Sequence, residues 1–297
     1  MTKALWNSAL ALLIVTGALL GLTLPFGKLA TGVGVPPILW AFVISCGAGG
    51  VLFLTLLLRR RAIALSAHNL RYFFIAAAIS YAIPNLLLFS AIPHLGAGYA
   101  GIMYTLSPVV TLVFSILLGV RRPNALGIAG IVVGFIGAVM VATTRGVADR
   151  PADIFWVVIG LLMPVCLAAG NIYRTYDWPE DTGPIELAAG SHLATAAMLL
   201  AGLLGQGQAG AFATLAGMPW LVLAQVLSAA AMFAVYFRLQ AVGGPVYLSQ
   251  IGYVAAAVGL GAGILFLGEH YRLLTWLGAL IIVVGVIMTT KAQSQTG

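Results

Sequence analysis

The second half of this 297-residue chain repeats the first. Gly96 and Gly243 are matching loop glycines 147 residues apart, and Gly134 and Gly285 are matching span glycines 151 residues apart, so only short insertions separate the copies. Each half contains about five apolar stretches long enough to cross a membrane. A unit with an odd number of crossings, duplicated head to tail, enters the membrane upside down the second time. The sequence therefore predicts two inverted halves related by an axis in the membrane plane.

Composition restricts the fold class further. Hydrophobic residues make up 62% of the chain and charged residues only 7%, too few to cover the surface of a soluble domain. We predict an all-α integral membrane protein with ten transmembrane helices in a 5+5 inverted repeat, divided into residues 1–148 and 149–297. The predicted spans are Asn7–Leu29, Pro37–Leu58, Leu70–Ile92, Ala97–Leu118, Ala125–Thr143, Ile154–Tyr173, Pro184–Leu204, Met218–Leu239, Pro245–Leu267 and Leu273–Thr290.

The net charge of +7 does not indicate nucleic-acid binding, because the basic residues occur singly or in short clusters between apolar stretches. Their distribution instead predicts orientation, with more basic residues in the cytoplasm than outside. Both termini are then cytoplasmic. The cytoplasmic set is Lys3, Arg59, Arg60, Arg61, Arg71, Arg121, Arg122, Arg174, Arg238 and Lys291, and the outer set is Lys28, Arg145, Arg150 and Arg272.

Matching motifs in the two halves carry a family resemblance. In the first half, Tyr104-Thr105-Leu106-Ser107-Pro108 is followed by Leu118-Gly119 and then by Gly127 and Gly134. In the second half, Val242-Gly243-Gly244-Pro245 is followed by Leu267-Gly268-Glu269 and then by Gly278 and Gly285. Over nearly its whole length the chain resembles the EamA-type carriers of the drug/metabolite transporter superfamily. It departs from them at Val120, where many members have an acidic residue.

The resemblance implies a ten-helix carrier that exports amino acids, related metabolites or drugs, and it points toward the amino-acid exporter (YddG-like) branch. It also implies a multi-pass protein of the bacterial inner membrane with both termini in the cytoplasm. Its partners would be a small-molecule substrate and the lipid bilayer, and no cofactor is expected. Spans five and ten, the richest in apolar residues, would pack outside the core or form a homodimer contact.

Polar side chains inside the spans are candidates for a substrate site, because such groups are costly against lipid and tend to face the bundle interior. Tyrosine faces, amides and an almost uncharged interior suit large neutral or aromatic amino acids. For each tyrosine, an interface anchor or an interhelical hydrogen bond is the alternative. The candidates are Tyr81, Asn85, Tyr99, Tyr104, Asn171, His192, Tyr236, Gln250 and Tyr253.

Prolines and glycines within the spans predict bends and close contacts. Pro84, Pro108 and Pro164 each free a backbone carbonyl one turn upstream, so they could be hinges along the transport path or purely structural kinks. Small-xxx-small pairs such as Gly17 and Gly21, or Gly130 and Gly134, permit close helix packing. His192 could couple protons to transport or could be a neutral side chain bonded to a neighbour.

Other functional classes find little support in the sequence. Neither a His-Glu-x-x-His metal motif nor a phosphate-binding loop occurs, so we predict neither an enzyme nor a metal site. Glu186 and Glu269 lie near span ends, where topology, loop or helix-cap roles are expected. Two alternatives stay open: a proton-coupled efflux carrier for drugs and other cations, and a membrane scaffold that transports nothing.

Overall fold

The computed structural model describes residues 6–119, 124–149 and 151–294, and the regular structure in these ranges is helical throughout. Eight helices, α1 to α8, are long and apolar enough to cross a membrane, and two further helices with shorter apolar segments, Ile251–Leu267 and Leu273–Thr289, follow. They are α1 (Ala9–Gly32), α2 (Pro37–Leu58), α3 (Ala67–Leu95), α4 (Ala97–Leu117), α5 (Ala125–Thr144), α6 (Ile154–Tyr176), α7 (Pro184–Gly205), α8 (Pro219–Ser249), α9 (Ile251–Leu267) and α10 (Leu273–Ser294).

Most helices begin where the sequence supplies a signal for the first turn. Ser8, Ser66, Asn124 and Asp153 each precede a helix, and their side-chain oxygens accept hydrogen bonds from backbone N–H groups two or three residues later. Helices α2, α7 and α8 begin at a proline, whose missing N–H removes no intrahelical bond at that position. The helix starts therefore follow from local chemistry.

The predicted spans overlap the observed helices, with one clear error. Span eight was predicted to end at Leu239 and span nine to start at Pro245, whereas α8 continues to Ser249 and α9 starts at Ile251. The glycines and proline at 243–245 indicated a loop. A loop in apolar surroundings would leave backbone groups without partners, and continued helix supplies those partners.

The helices of one half pack mainly against helices of the other half. Helix α2 packs on α7, α5 packs on α10, and α1 packs on α8 and α9. The contacts of α6 mirror those of α1, because α6 packs on α3 and α4. Exchanging α1–α5 with α6–α10 maps the α2–α7 and α5–α10 contacts onto themselves and the contacts of α1 onto those of α6. This is the contact pattern of a two-fold axis that passes between α2 and α7 and between α5 and α10.

Glycines allow the closest of these helix contacts. A Cβ atom on Gly130 would lie 2.8 Å from the carbonyl oxygen of Gly285, and one on Gly21 would lie 2.9 Å from the carbonyl oxygen of Ala255. Both glycines belong to the predicted small-xxx-small pairs, and their role in helix packing is confirmed. Helix α5 is the least buried of the eight long helices and packs chiefly on α10, which agrees with the peripheral position predicted for it.

Two of the three predicted bend prolines lie at helix irregularities. Pro84 follows a π-helical segment, Ala77–Ala82, in which the backbone absorbs an extra residue per turn. Helix α4 is interrupted after Tyr104 and resumes at Ser107, and Pro108 is the second residue of this second part. Pro164, in contrast, lies within the uninterrupted helix α6. The structure therefore shows a π-helical turn in α3 and an interruption in α4, and both helices pack on α6.

Candidate functional site

A small cavity of about 50 Å³ lies between the two halves. A volume comparable to that of one or two water molecules means that the helices close around this site in the conformation described. Its lining residues come from α1, α4, α6, α8 and α9. They are Leu20, Tyr104, Ser107, Leu167, Asn171, Tyr236, Leu248, Ile251 and Gly252, and together they define the central cavity.

The break in α4 brings Tyr104 to this cavity. A Cβ atom on Gly252 would lie 2.7 Å from the carbonyl oxygen of Tyr104, so only a glycine lets α9 approach the interrupted helix this closely. Ser107 lies just after the break and lines the same cavity. The interruption of α4 and the start of α9 thus form one wall of the central cavity, with one element from each half.

A buried arginine lies beside the cavity. The Arg174 side chain donates a hydrogen bond from Nη2 to Asn171 Oδ1 at 2.7 Å and another to the Tyr236 hydroxyl oxygen. Its Cζ atom lies 5.3 Å from the Tyr236 ring centroid and 5.5 Å from that of Tyr81. Only 2% of Arg174 is exposed. Asn171 and Tyr236 line the cavity, so the guanidinium group stands directly behind its polar wall.

Tyr81 and His192 extend this cluster toward α7. The ring centroids of Tyr81 and His192 are 4.4 Å apart, and those of His192 and Phe233 are 3.7 Å apart. His192 is fully buried, and neither of its ring nitrogens has a hydrogen-bond partner among the described residues. The structure thus surrounds His192 with aromatic rings instead of the hydrogen-bonding neighbour that one interpretation expected.

A second polar cluster joins α1, α4 and the α9–α10 connection. The carboxylate of Glu269 pairs with Lys28 and accepts hydrogen bonds from the backbone N–H groups of Ala97 at 2.7 Å and Gly98 at 3.0 Å. The Tyr271 hydroxyl donates to it as well. Burial opposes ionisation of this group, but these four donors outweigh burial and hold the pKa of Glu269 below its ordinary value. We call this part of the bundle the Glu269 end.

The Leu-Gly-Glu motif explains how Glu269 reaches this position. Gly268 adopts a left-handed conformation with φ of +62°, which glycine tolerates without strain and which ends α9. The next residue then turns back, and the Glu269 N–H donates to the Gly263 carbonyl oxygen at 2.9 Å. The carboxylate consequently caps the first turn of α4, which confirms the helix-cap role among those expected for it.

The opposite end of the bundle carries a more exposed network. Asp177 accepts hydrogen bonds from Arg71 at 2.6 Å and from the Tyr173 hydroxyl at 2.6 Å, and it lies 3.1 Å from the His68 ring. We call this part the Asp177 end. An open cavity of about 650 Å³, the vestibule, lies there between the α6–α7 connection and the later part of α8, with Thr175 and Arg238 in its lining.

The model of the EamA-like transporter family matches the chain twice, over residues 7–143 and 154–291. The chain belongs to the EamA-like transporter family. One solved structure, described only as the crystal structure of a protein, matches with a TM-score of 0.62 and 19% sequence identity. The match covers 96% of this chain and 98% of the chain in that structure, which shows a shared fold. None of the curated proteins compared with this chain matches it.

The remaining predicted site residues of this EamA-like transporter lie around the central cavity or away from it. Asn85 is half-buried one turn after Tyr81, and Gln250 lies at the turn between α8 and α9. Tyr253 is half-buried, and its hydroxyl has no hydrogen-bond partner among residues in the described ranges. Tyr99 lies at the Glu269 end, where its hydroxyl donates to the Val141 carbonyl oxygen at 2.8 Å. Tyr99 thus forms an interhelical hydrogen bond, which was the alternative to a role in the substrate site.

Arg174 is the site residue that sequence reasoning missed. Hydropathy placed the end of span six at Tyr173, and Arg174 was consequently placed after the span and counted among the cytoplasmic basic residues. The position outside the span is wrong, because α6 continues to Tyr176 and buries the Arg174 side chain within the bundle. A usable signal was present, since Asn171 precedes Arg174 by three residues and therefore shares its helix face. A cation on the same face as a predicted cavity residue points inward.

Proposed function

We propose that this transporter exports amino acids, preferentially large neutral or aromatic ones, by alternating access around the central cavity. One observation carries the proposal: a family model for transporters matches each half, and the cavity lies where the halves meet. Residues 1–148 and 149–297 would be the two moving halves. Their inverted relation and ten membrane crossings are consistent with the two-fold pattern of helix contacts.

The orientation that we propose places the Asp177 end in the cytoplasm of a bacterial cell, with the protein in the inner membrane. Arg59, Arg60 and Arg61 follow α2 at this end, where Arg61 pairs with Glu186 at the start of α7. Arg238 of α8 donates to Asn7 there, so the N-terminal segment lies at the same end. This concentration of basic residues supports a cytoplasmic assignment.

The chemistry of the cavity supports an amino-acid substrate. Tyr104 and Tyr236 present aromatic rings, which favour an apolar or aromatic solute body, and they also attract an ammonium group through the ring face. Asn171 adds an amide that can donate or accept a hydrogen bond. Tyr81 and His192 adjoin this wall through Arg174 and Phe233. Because the cavity holds only about 50 Å³, substrate entry requires the helices to separate.

The structure argues against the alternative substrate, a bulky cation. The guanidinium of Arg174 stands behind the cavity wall, and a like charge in a site of low dielectric constant repels a cationic solute. An imposed pH gradient tests the proton-coupled alternative directly. A flux that follows the gradient in the wild type and loses this response in His192→Gln would favour that alternative over ours.

A counterflow screen in proteoliposomes tests the proposed function. Vesicles loaded with unlabelled amino acids, nucleosides or cationic drugs are assayed for uptake of the matching labelled solute, with protein-free vesicles as the control. We expect exchange of large neutral or aromatic amino acids above the control and little exchange of cationic drugs. Exchange restricted to drugs would contradict the substrate assignment, and an absence of exchange with every solute would favour the scaffold alternative.

A further inference from the structure

Arg174 is a buried cation without an acidic partner in the described part of the chain. The ion pairs formed there join Lys28 to Glu269, Arg61 to Glu186, and both His68 and Arg71 to Asp177, and none includes Arg174. The guanidinium is 2% exposed and keeps neutral partners only, namely Asn171 and Tyr236. Buried charges in proteins are normally paired, because transferring an unpaired charge out of water is costly. The structure therefore contains an uncompensated positive charge beside a cavity.

The guanidinium also has unused hydrogen-bonding capacity. An arginine carries five N–H donors, and both hydrogen bonds found for Arg174 come from Nη2. Its Nε atom is buried and has no partner among the residues described. The Nε–H group and Nη2 lie on one edge of the planar guanidinium, so a carboxylate that displaced one acceptor from Nη2 could bind this edge with two hydrogen bonds. What the arginine lacks is an acceptor with negative charge.

Arg174 lies between the central cavity and the vestibule at the Asp177 end. On α6, Asn171 lines the central cavity and Thr175 lines the vestibule, and Arg174 lies between them. Tyr81 and Tyr236 flank the guanidinium at 5.5 Å and 5.3 Å. Along α6, the guanidinium therefore lies between the vestibule and the central cavity.

We propose that Arg174 binds the carboxylate of the transported solute, so that the transporter selects solutes that carry a negatively charged end. This inference rests on the proposed transport function and narrows it to carboxylate-bearing solutes. The carboxylate would replace the Tyr236 hydroxyl on Nη2 and accept a second hydrogen bond from the unpartnered Nε–H, while the tyrosine rings contact the solute body. Phosphate-bearing solutes share the affinity for arginine, and the test therefore includes them.

Binding to the detergent-solubilised protein tests the inference without a transport assay. The probes are phenylalanine, phenylalanine amide, phenethylamine, 3-phenylpropionate and inorganic phosphate, and the readout is the shift in melting temperature. We expect the two carboxylates to stabilise the wild type and the amide and amine to have little effect. Equal stabilisation by all four phenyl compounds, or by none, would overturn the inference, and stabilisation by phosphate alone would assign the site to phosphate instead.

Variants at Arg174 separate a binding role from a purely structural one. In Arg174→Gln, the ratio of phenylalanine exchange to phenylalanine-amide exchange in proteoliposomes should fall by at least about 30-fold, as expected for loss of a buried charge partner. Arg174→Lys, which keeps the charge, should retain part of this preference even if Arg174→Gln folds poorly. Arg61→Gln is the matched control, because it removes an exposed cation from the same end.

The possible outcomes distinguish the inference from the transport proposal. If Arg174→Gln and Arg174→Lys lower exchange of acid and amide equally, Arg174 only supports the fold and the inference is wrong. If the wild type exchanges phenethylamine as well as phenylalanine, the protein is a carrier that ignores the carboxylate. If it exchanges nothing yet is stabilised by carboxylates in an Arg174-dependent manner, the binding site stands and the transport proposal fails.

Discussion

At the scale of single residues, Asp177 joins α3 to α6 at the end of the bundle that we assign to the cytoplasm. Burial opposes its ionisation, but hydrogen bonds from Tyr173, Arg71 and His68 outweigh burial and hold the pKa of Asp177 below its ordinary value. A carboxyl group with a depressed folded-state pKa stabilises the fold at pH values above its ordinary pKa of about 3.9. This stabilisation is lost as the pH falls through the folded-state pKa.

We therefore expect Asp177→Asn to destabilise the protein at neutral pH by about 1 kcal/mol, the size typical of exposed ion-pair networks. The melting temperatures of wild type and variant should begin to converge as the pH falls below about 3.9 and should coincide only below the lowered folded-state pKa of Asp177. Tryptophan fluorescence of the detergent-solubilised protein during heating measures this. Asp149→Asn is the control, because it removes an exposed carboxylate outside the network. A difference of equal size at pH values near 7 and 3 would contradict the prediction.

Two tyrosines of α4, only five residues apart, should respond differently to substitution. Tyr104 lines the central cavity, so Tyr104→Ala removes aromatic surface from the proposed site and should lower amino-acid exchange at least about fivefold. Tyr99 bonds to the Val141 carbonyl oxygen at the Glu269 end, so Tyr99→Phe should cost about 1 kcal/mol of stability and leave exchange unchanged. Exchange rates normalised to folded protein measure both effects. Unchanged exchange in Tyr104→Ala would remove this residue from the site.

At the scale of helices, the contact between α5 and α10 depends on the absence of side chains. A Cβ atom on Gly130 would lie 2.8 Å from the carbonyl oxygen of Gly285 and 2.9 Å from the backbone nitrogen of Thr289. Neither backbone atom can move aside without shifting its helix. We expect Gly130→Ala to lower the free energy of unfolding by about 1–3 kcal/mol, the usual cost of overpacking.

The control for this prediction is Gly50→Ala on α2. Gly50 is exposed, and a Cβ atom there would contact nothing within 4 Å, so the substitution should leave stability unchanged or raise it slightly. The free energy of unfolding in mixed detergent micelles gives the comparison. Equal effects of the two substitutions would mean that the α5–α10 contact is less tight than described.

At the Glu269 end, one carboxylate joins α1, α4 and the α9–α10 connection. We predict that Glu269 and Lys28 are energetically coupled. Glu269→Gln and Lys28→Met should each lower stability by about 2 kcal/mol, because each leaves a partly buried charge or cap without its partner. In the double variant the loss should be clearly smaller than the sum of the single losses. A double-mutant cycle on the free energy of unfolding checks this, and strict additivity would show that the pair is energetically unimportant.

At the scale of the whole molecule, the positions of the helices could be predicted from the sequence, but which helices pack against each other could not. Prolines 37, 184 and 219 and the cap residues Ser8 and Ser66 are local signals, so helix positions could be predicted. Packing of α1 on α8 and α9 depends on how two halves interlock, and one half alone contains no information about it.

The same limit applied to the site. Tyr104, Asn171 and Tyr236 were found by their polarity inside apolar spans. Arg174 was missed because a hydropathy boundary three residues too early moved it out of the helix. Its burial follows from the packing of α6 against α3 and α4, and hydropathy along a single chain does not report such packing.

The two ends of the bundle are closed by unequal chemistry. Glu269 binds Lys28, Tyr271 and the start of α4 in a largely buried cluster, whereas the first copy of its motif has Val120 in place of the acid. A carrier whose two closed states differ in free energy spends most of its time in one of them. We expect half-saturation concentrations measured from the two faces of the membrane to differ, while the ratio of maximal rate to half-saturation stays equal for a passive carrier. A transporter built from two related halves would then bind its substrate with different apparent affinities from the two sides of the membrane.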